Sequence, residues 1–509
     1  MADKTNNSKR LSDALKALKK VQDKQHGIAQ SKDFTLLQRT VLLETGFLRP
    51  VMKGWYICCN PSDQVGDSTA WYANYWHFIS RYLQRRFGNQ YFLNPEASLL
   101  LHTGNTTVPK QITIVTKNGS ANIVKLPFNT SLVIYSDQKR VSPPYEMIQG
   151  LQVLSLPESL CYVGPHFFTQ YPTEAEIALA MVRDLGKLLV PLVTGNCLPT
   201  AASRLAGALI FTHRPDDAHR VIQSMAQAGH KIYPHNPFQF QEPSITSSRE
   251  KSPYVLRLRS MWAKWRTVVA DHFPLPPVIP PESQTYLNQI DERYIADAYN
   301  SLSIEGYHVT DELIERIAKN GWNPDQNQHD DAHKDALAAH GYFLAFQSVK
   351  QSILKILSKS NSGEVVRKDH HEWYATLFNP IVLAGILERH QLVGYRNGPV
   401  FIKNSLHTPL PKEALIDCME ALFDLIAQEP EARVRAVLGH HLFVFIHPYF
   451  DGNGRIGRFL MNALLASEGY PWTIVRMSQR NQYMAALEKA SVEGDILPLT
   501  QFLAQEMSQ

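Results

Sequence analysis

The apolar and polar positions divide the chain into a first half of mixed helices and strands and a second half that is mostly helical. Near the N-terminus, apolar residues at helical spacing predict two helices, at residues 8–25 and 31–44. Residues 45–57 then predict a tight turn, a short strand, a Lys-Gly hairpin tip and a second strand of aromatic and β-branched residues. Helices followed by such a hairpin predict a winged helix over residues 1–65.

Residues 66–245 alternate helical and strand-like patterns, which predicts an α/β domain. No catalytic cluster of side chains is recognisable within it. The clearest elements are strands at 111–116 and 131–135 and helices at 174–189 and 200–210.

A helix and a Pro-rich linker are predicted over residues 246–284, since five of the eight positions 274–281 are proline. Such a stretch opposes a helix and favours an extended spacer. Residues 285–509 are therefore predicted to form a separate, all-helical domain. The fold class is multidomain: a winged helix, an α/β domain and a helical domain.

The composition is that of a globular protein, with 44% hydrophobic and 19% charged residues among 509. No run of about 18 apolar residues occurs, and the polar N-terminus lacks the apolar core of a secretory signal. The five cysteines are scattered without a Cys-x-x-Cys pair, which argues against a zinc site or a disulfide framework. We expect a cytoplasmic protein with no membrane partner.

Positive charge is concentrated in the first 65 residues, where eleven Lys and Arg face six Asp and Glu, a net +5 against +4 for the whole chain. A basic winged helix is typical of DNA binding, and Arg39, Arg49 and Lys53 are the candidate contacts. The alternative is an interaction module whose lysines only solvate helix faces.

The most informative stretch is residues 447–458, HPYFDGNGRIGR. A helix predicted at 432–446 ends at His447, where Pro448 opposes its continuation. Asp451, Gly452, Asn453 and Gly454 are turn residues whose successive amides can bind an anion. A new helix is predicted to begin near residue 455 and run through 465, with its N-terminus favouring a phosphate.

The charged side chains of this stretch complete a phosphate site. Arg455 and Arg458 are three positions apart, so both extend from one face of the helix's first turn. Asp451 offers an oxygen ligand suited to Mg²⁺ bound to the same phosphates. The unperturbed pKa of a histidine lies close to neutral pH, so His447 can act as a general base. Together they predict activation of a hydroxyl beside a bound polyphosphate.

The stretch resembles the signature of the Fic family, His-Pro-Phe-x-Asp/Glu-Gly-Asn-Gly/Lys-Arg-x-x-Arg, and departs from it only at Tyr449. Tyr keeps the aromatic ring and adds a hydroxyl that needs a partner. The resemblance extends over residues 284–509. It includes a flap-like segment at 394–411 and a closing segment at 483–496.

The resemblance implies an all-helical domain with one β-hairpin flap that transfers AMP from ATP to a Tyr, Thr or Ser hydroxyl of a protein, including the chain itself. His447 would be the general base and Asp451 the Mg²⁺ ligand. The flap would align the target backbone through strand pairing. The implied ATP-binding residues are Gly452, Asn453, Gly454, Arg455, Arg458 and, near the adenine, Tyr483; the flap residues are Ile402, Lys403, Asn404 and Ser405.

An earlier segment, Ser301-Leu302-Ser303-Ile304-Glu305-Gly306, is by itself an ordinary helix end. Ser301 and Glu305 share one face of a short helix that Gly306 can end. The segment resembles the inhibitory helix of the Fic family, which implies that Glu305 pairs with Arg458. Its carboxylate would then occupy the place of the γ-phosphate.

Residues 10–240 resemble AbiEi-type antitoxin and regulator proteins. The resemblance rests on the wing, residues 46–56, and on the stretch Pro95-Glu96-Ala97-Ser98-Leu99-Leu100-Leu101-His102. It implies a DNA-binding winged helix attached to an α/β domain.

Two alternatives to autoinhibited AMP transfer remain open. In the first, the protein is a DNA-binding regulator whose Fic domain senses nucleotide or modifies its own chain. In the second, Glu305 positions a water molecule that removes AMP from a modified target. Other nucleotide donors are disfavoured because Arg458 is the γ-phosphate arginine of ATP users. The sequence identifies no target protein, and a homodimer is a further partner that it leaves open.

Overall fold

The computed structural model describes residues 2–25, 27–61, 67–117, 121–137, 145–194, 198–239, 242–245, 252–278, 282–320 and 330–508. The chain forms two compact units. Unit 1 comprises Met1–Pro253 together with Phe401–Thr408, and unit 2 comprises Tyr254–Val400 and Pro409–Gln509. Part of the predicted linker, residues 246–251 and 279–281, lies outside the described residues.

Unit 1 begins with two helices and a three-stranded antiparallel sheet of order β1-β3-β2. The predicted hairpin is confirmed, with Gly54 at its tip at φ +80°. The helix predicted at 31–44 starts later, because Phe34 is extended and Thr35 caps the helix by accepting from the Gln38 amide. The elements are α1 (Ala2–Gln25), β1 (Ile28–Gln30), α2 (Leu36–Glu44), β2 (Leu48–Met52) and β3 (Trp55–Cys58).

A six-stranded mixed sheet of order β6-β7-β5-β4-β9-β8 follows. The predicted strands at 111–116 and 131–135 are confirmed as parallel neighbours, β5 and β7. The sheet and its helices are α3 (Thr69–Phe87), β4 (Tyr91–Leu93), α4 (Pro95–His102), β5 (Gln111–Thr116), β6 (Asn122–Lys125), β7 (Ser131–Ser136), β8 (Tyr145–Ile148) and β9 (Leu151–Leu154).

Six helices complete this part of unit 1, and one predicted helix is wrong. The single helix expected at 174–189 is two helices, because Val182 is extended and Asp184 caps a new start. Arg214 binds the carbonyl oxygens of Leu179 and Val182 and so closes the first helix. The six are α5 (Leu156–Tyr162), α6 (Phe167–Gln170), α7 (Pro172–Met181), α8 (Leu185–Val193), α9 (Pro199–Phe211) and α10 (Pro215–Gln227).

The regular elements of unit 2 are helices, with no strand among its described residues, and one apolar core runs through it. Gly457 faces the neighbouring helix so closely that a Cβ there would lie 3.1 Å from His440 Nδ1. The helices are α11 (Pro253–His272), α12 (Ser283–Ile304), α13 (Asp311–Asn320), α14 (Asp330–Leu357), α15 (Ser362–Leu383), α16 (Leu415–Gln428), α17 (Ala432–Ile446), α18 (Asn453–Ala466), α19 (Arg480–Glu488) and α20 (Leu497–Met507).

Two expectations about unit 2 are corrected. The β-hairpin predicted as a flap is absent, since residues 394–411, all described, contain no strand. The helix that carries Ser301 and is capped by Glu305 is not short but 22 residues long. Within the described residues, no helix is both long and apolar enough to cross a membrane.

Candidate active site

The turn between α17 and α18 is built by its own side chains. His447 adopts the left-handed conformation at φ 56° and ψ 61°, and Gly452 follows at φ 79°. The Asn453 side chain accepts from the Tyr449 amide at 2.9 Å and donates to the Tyr449 carbonyl at 2.8 Å. Helix α18 therefore starts at Asn453, two residues before the predicted start.

Tyr449, which departs from the family signature, fits its site without strain. Its ring is 1% exposed and stacks on Tyr374 with centroids 3.7 Å apart. The additional hydroxyl meets His371 Nδ1 at 3.0 Å. The expectation that this hydroxyl finds a partner is confirmed.

The His447 side chain is half-buried and held in one orientation. Nδ1 lies 3.2 Å from the Val444 carbonyl oxygen. A carbonyl can only accept, so Nδ1 carries the proton and Nε2 is left as an acceptor. Burial lowers the pKa of His447 to about 4, and the charge of Arg396 contributes. The imidazole is therefore neutral at neutral pH, as a general base requires.

Arg455 is a buried cation with unused hydrogen-bonding capacity. Its side chain is 1% exposed and its guanidinium lies 5.2 Å from the ring centroids of both Tyr307 and Phe378. Its Nη2 lies 3.2 Å from Asp451 Oδ2, while Nε has no hydrogen-bond partner among the described residues. A buried donor without a partner fits an anionic ligand.

Asp451 is the only carboxylate of the HPYFDGNGRIGR stretch, and its side chain is 60% exposed. Within the described residues, no cluster of three or more His, Cys, Asp or Glu side chains could hold a metal by itself. One carboxylate supplemented by phosphate oxygens and water is the usual environment of Mg²⁺. The donor set therefore fits Mg²⁺ carried by a nucleotide.

Arg458 is occupied by α12. Its Nη2 donates to Glu305 Oε1 at 2.8 Å and to the Ser301 carbonyl at 3.1 Å, and its Nε donates to Ser301 Oγ at 2.9 Å. Burial opposes the charged guanidinium, but Glu305 outweighs it and raises the pKa of Arg458. A Cβ on Gly454 would lie 2.3 Å from Glu305 Oε1. The carboxylate thus lies against the first turn of α18, where an anion is favoured.

The face of α12 that contacts Arg458 extends further than the sequence indicated. Asp297 lies one turn before Ser301, is fully buried and accepts from the Tyr342 hydroxyl at 2.6 Å. Gly306 ends the helix region at φ +88°, and Tyr307 follows beneath Arg455. Spacing of four residues on one helix could have indicated Asp297, but nothing in the sequence indicated Tyr307 or Phe378.

Part of the chain that forms this site matches a known protein family. Residues 367–465 match the model of the Fic/DOC family. This segment is a Fic domain. The curated relatives include "Protein adenylyltransferase Fic" of Nematostella vectensis, 29% identical over 241 residues, which are 45% of this chain and 50% of the relative. The protein of the same name from Drosophila willistoni is 31% identical over 219 residues, or 42% and 40% of the two chains.

The chain spans half or less of the length of these curated relatives. Among solved structures, Fic-1 (residues 134–508) from C. elegans aligns over 66% of this chain and 94% of its own. The identity is 18% and the TM-score 0.37. Ser301 of α12 and Glu305, which caps its C-terminus, precede the segment that the family model matches.

Tyr483 lies inside the apolar core of unit 2. Its ring is 1% exposed, stacks on Phe502 and places the hydroxyl 2.7 Å from His440 Nε2. Its charge environment includes Arg458 and Glu305. The contact with adenine stays a prediction.

The flap candidates of the Fic domain belong to unit 1, with Phe401–Thr408. His407 forms an antiparallel bridge with Thr107, and the Val108 amide donates to the Leu406 carbonyl at 3.0 Å. The Thr408 amide donates to the Thr106 carbonyl at 2.8 Å. These bonds to unit 1 replace the ladder of a hairpin, which is why the predicted flap strands are absent.

The four predicted flap residues form the tip of this segment. The Asn404 amide donates to Thr69 Oγ1 at 3.1 Å, and its φ is 58°. The Ser405 amide donates to the Ile402 carbonyl at 3.2 Å. Lys403 is exposed and lies 4.0 Å from Asp67. The tip is thus a turn bound to unit 1.

The three predicted DNA contacts are spread over α2, β2 and the hairpin tip. Lys53 is exposed at the tip, and Arg39 is half-buried on α2. Arg49 donates from Nη1 to the Asp67 carbonyl at 3.2 Å. All three residues lie in unit 1, and their contact with DNA stays a prediction.

Proposed function

We propose that the protein is an adenylyltransferase that moves AMP from ATP to a protein hydroxyl and is inhibited by its own Glu305. The observation that supports this most is the Glu305 carboxylate on Arg458 and against Gly454. An anionic group already occupies the helix terminus that a terminal phosphate would need. The match to the Fic/DOC family and the relatives named adenylyltransferase support the same reaction.

In this reaction His447 Nε2 accepts the proton of the target hydroxyl while the hydroxyl oxygen attacks the α-phosphorus of ATP. A new P–O bond to the target forms, the bond between the α-phosphorus and the bridging oxygen breaks, and pyrophosphate leaves. Arg455 and the first amides of α18 bind the phosphates, and Arg458 would take the γ-phosphate once Glu305 withdraws. Asp451 would hold Mg²⁺, which neutralises phosphate charge when bound.

The test compares wild type with Glu305→Gly on ATP labelled at the α-phosphate. Glu305→Gly should label itself and proteins of a lysate far more strongly than wild type does. The control Glu305→Gly/His447→Ala should bind ATP and label nothing. Glu305→Gly that binds ATP but transfers no AMP would contradict the proposal. Release of AMP from a modified protein by wild type would favour the reverse reaction instead.

A second function, DNA binding by residues 1–65, is supported by the net charge of +5 and by exposed Lys53 on the β2–β3 hairpin. Binding to the protein's own promoter region should weaken steeply with salt. The double substitution Arg39→Glu/Lys53→Glu should abolish it, whereas His447→Ala should not change it. Salt-independent or unchanged binding would contradict this function. The four described cysteines are all buried and none of them forms a disulfide, which is consistent with the proposed cytoplasmic location.

A further inference from the structure

Arg396, which lies in the connection between α15 and α16, binds the backbone on which the general base is mounted. Its Nε donates to the His447 carbonyl at 2.7 Å, and its own amide donates to the Pro448 carbonyl at 2.9 Å. The residue is 5% exposed. No sequence pattern indicated it, because the residues it joins are 51 positions apart.

The other two guanidinium contacts join the ends of the segment that leaves unit 2. Nη1 donates to the Gly398 carbonyl at 2.9 Å and Nη2 to the Leu410 carbonyl at 2.5 Å. Arg396 thus makes four hydrogen bonds to four carbonyl oxygens. Three come from the planar guanidinium and one from the backbone amide. Lysine, a point charge on a flexible stem, does not reproduce that fork.

His447 needs such support because of its backbone conformation. Its amide still completes α17 by donating to the Phe443 carbonyl at 3.0 Å. Its φ of 56° is a region that residues other than glycine rarely adopt. The His447 carbonyl therefore points away from the helix, and Arg396 Nε donates a hydrogen bond to it. The imidazole direction depends on this turn being kept.

We propose that Arg396 is a positioning residue that fixes the left-handed backbone of His447 and thereby aims its imidazole at the target hydroxyl. The inference rests on the proposed function, in which His447 is the base. Arg396 itself touches neither nucleotide nor target in this assignment. A displacement of about 1 Å in a catalytic group can lower the rate on the order of 100-fold.

The first measurement is steady-state AMP transfer in the Glu305→Gly parent. Arg396→Ala should lower kcat on the order of 100-fold while KM for ATP changes by less than about three-fold, since the phosphate contacts remain. Arg396→Lys should recover only part of the loss. An Arg396→Ala variant whose kcat stays within about three-fold of the parent overturns the inference.

Arg435→Ala is the matched control, because Arg435 is half-buried and bonds backbone carbonyls at the opposite end of α17. Its Nη1 donates to the carbonyls of Glu429 and Pro430 at 2.6 and 2.7 Å. Thermal unfolding of both variants separates lost stability from lost positioning. If Arg435→Ala loses kcat as much as Arg396→Ala at equal stability, the inference is also overturned.

A second measurement does not need the transfer activity. Imidazole resonances of His447, assigned by their loss in His447→Ala, report its tautomer and titration in the full chain. Arg396, Glu305 and Asp451 are the charged groups that act on this imidazole. Arg396→Ala should change the tautomer balance and raise the His447 pKa, and unchanged resonances overturn the inference. If Glu305→Gly transfers no AMP, the proposed function fails, yet this measurement still decides the role of Arg396.

Discussion

Arg458 Nη2 lies 2.8 Å from Glu305 Oε1, a contact that joins two helices across 153 positions of the chain. The guanidinium side chain is 4% exposed and the carboxylate side chain 26%. Removing one member of such a pair leaves a buried charge without its partner, which is costly. The state of the pair should therefore be visible in both stability and ligand binding.

Glu305→Gln should lower the melting temperature in the absence of ATP, because Arg458 loses its charged partner. It should also increase the stabilisation that ATP gives, because Arg458 is then available to bind a phosphate. The Kd for ATP should fall on the order of 10-fold, or about 1.4 kcal/mol. Titration calorimetry at fixed Mg²⁺ measures it. Glu315→Gln, which removes a half-exposed carboxylate paired with Lys319 on α13, is the control. ATP binding no tighter than in wild type would contradict a competition between Glu305 and ATP for Arg458.

The pH dependence of transfer follows from His447. Burial, chiefly, holds the pKa of this imidazole at about 4, so the neutral base is present above that value and lost below it. In Glu305→Gly, kcat/KM should be level through the neutral range and decline only as the pH falls towards about 4. A decline centred near the ordinary histidine pKa of about 6.5 would show that the base is exposed.

Asp297 gives a prediction about stability. Burial raises its pKa from the ordinary 3.8 to about 6 in the folded state. The folded protein keeps this proton longer than the unfolded chain, so stability falls as the pH rises through that window. Relative to Asp297→Asn, which cannot titrate, wild type should lose up to ~3 kcal/mol between about pH 4 and pH 7. Urea unfolding across this range measures the difference, and a constant difference would contradict it.

Gly454→Ala should couple to Glu305. An added Cβ would lie 2.3 Å from Glu305 Oε1, and such overpacking typically costs about 1–3 kcal/mol. In the Glu305→Gly background the obstructing carboxylate is gone, so most of the cost should disappear. Urea unfolding of the four proteins gives the coupling free energy. If the effects of the two substitutions on the free energy of unfolding are additive, the Glu305 carboxylate does not lie against Gly454 in solution.

Thr408→Pro tests the docking of Phe401–Thr408 within unit 1. Proline removes the amide that donates to the Thr106 carbonyl and should destabilise by about 1–3 kcal/mol. Hydrogen exchange of residues 401–408 should accelerate. Thr408→Ala keeps the amide and loses only the hydroxyl bond to the same carbonyl, so its exchange should change less. Equal exchange in both variants would argue against the backbone pairing.

The chemistry of the turn could be predicted because it is local. His447, Asp451, Arg455 and Arg458 lie within twelve residues, and helix ends with glycine turns have strong sequence signals. The pairing of Arg458 with Glu305 was predicted from family resemblance and is observed. The length of α12 was not, because a helix's extent depends on what its apolar face packs against.

Other features had no local signal. The guanidinium of Arg455 lies 5.2 Å from the ring centroids of Tyr307, which follows α12, and Phe378, which lies on α15. Arg396 binds the His447 carbonyl although the two residues are 51 positions apart. The expected hairpin failed for a related reason. Residues 401–408 form backbone hydrogen bonds with residues 106–108 instead of with each other. Either pairing gives the backbone amides the acceptors that they need.

The membership of Phe401–Thr408 in unit 1 has a practical consequence for dissecting this protein. A single cut in the chain cannot separate the two units, because unit 2 is interrupted by eight residues that fold with the other. A fragment beginning at Tyr254 would carry those residues without Thr106, Thr107 and Val108 to bind them. Regulation measured on such a fragment would lack these backbone bonds, so a fragment that preserves them must include residues 106–108 together with Phe401–Thr408.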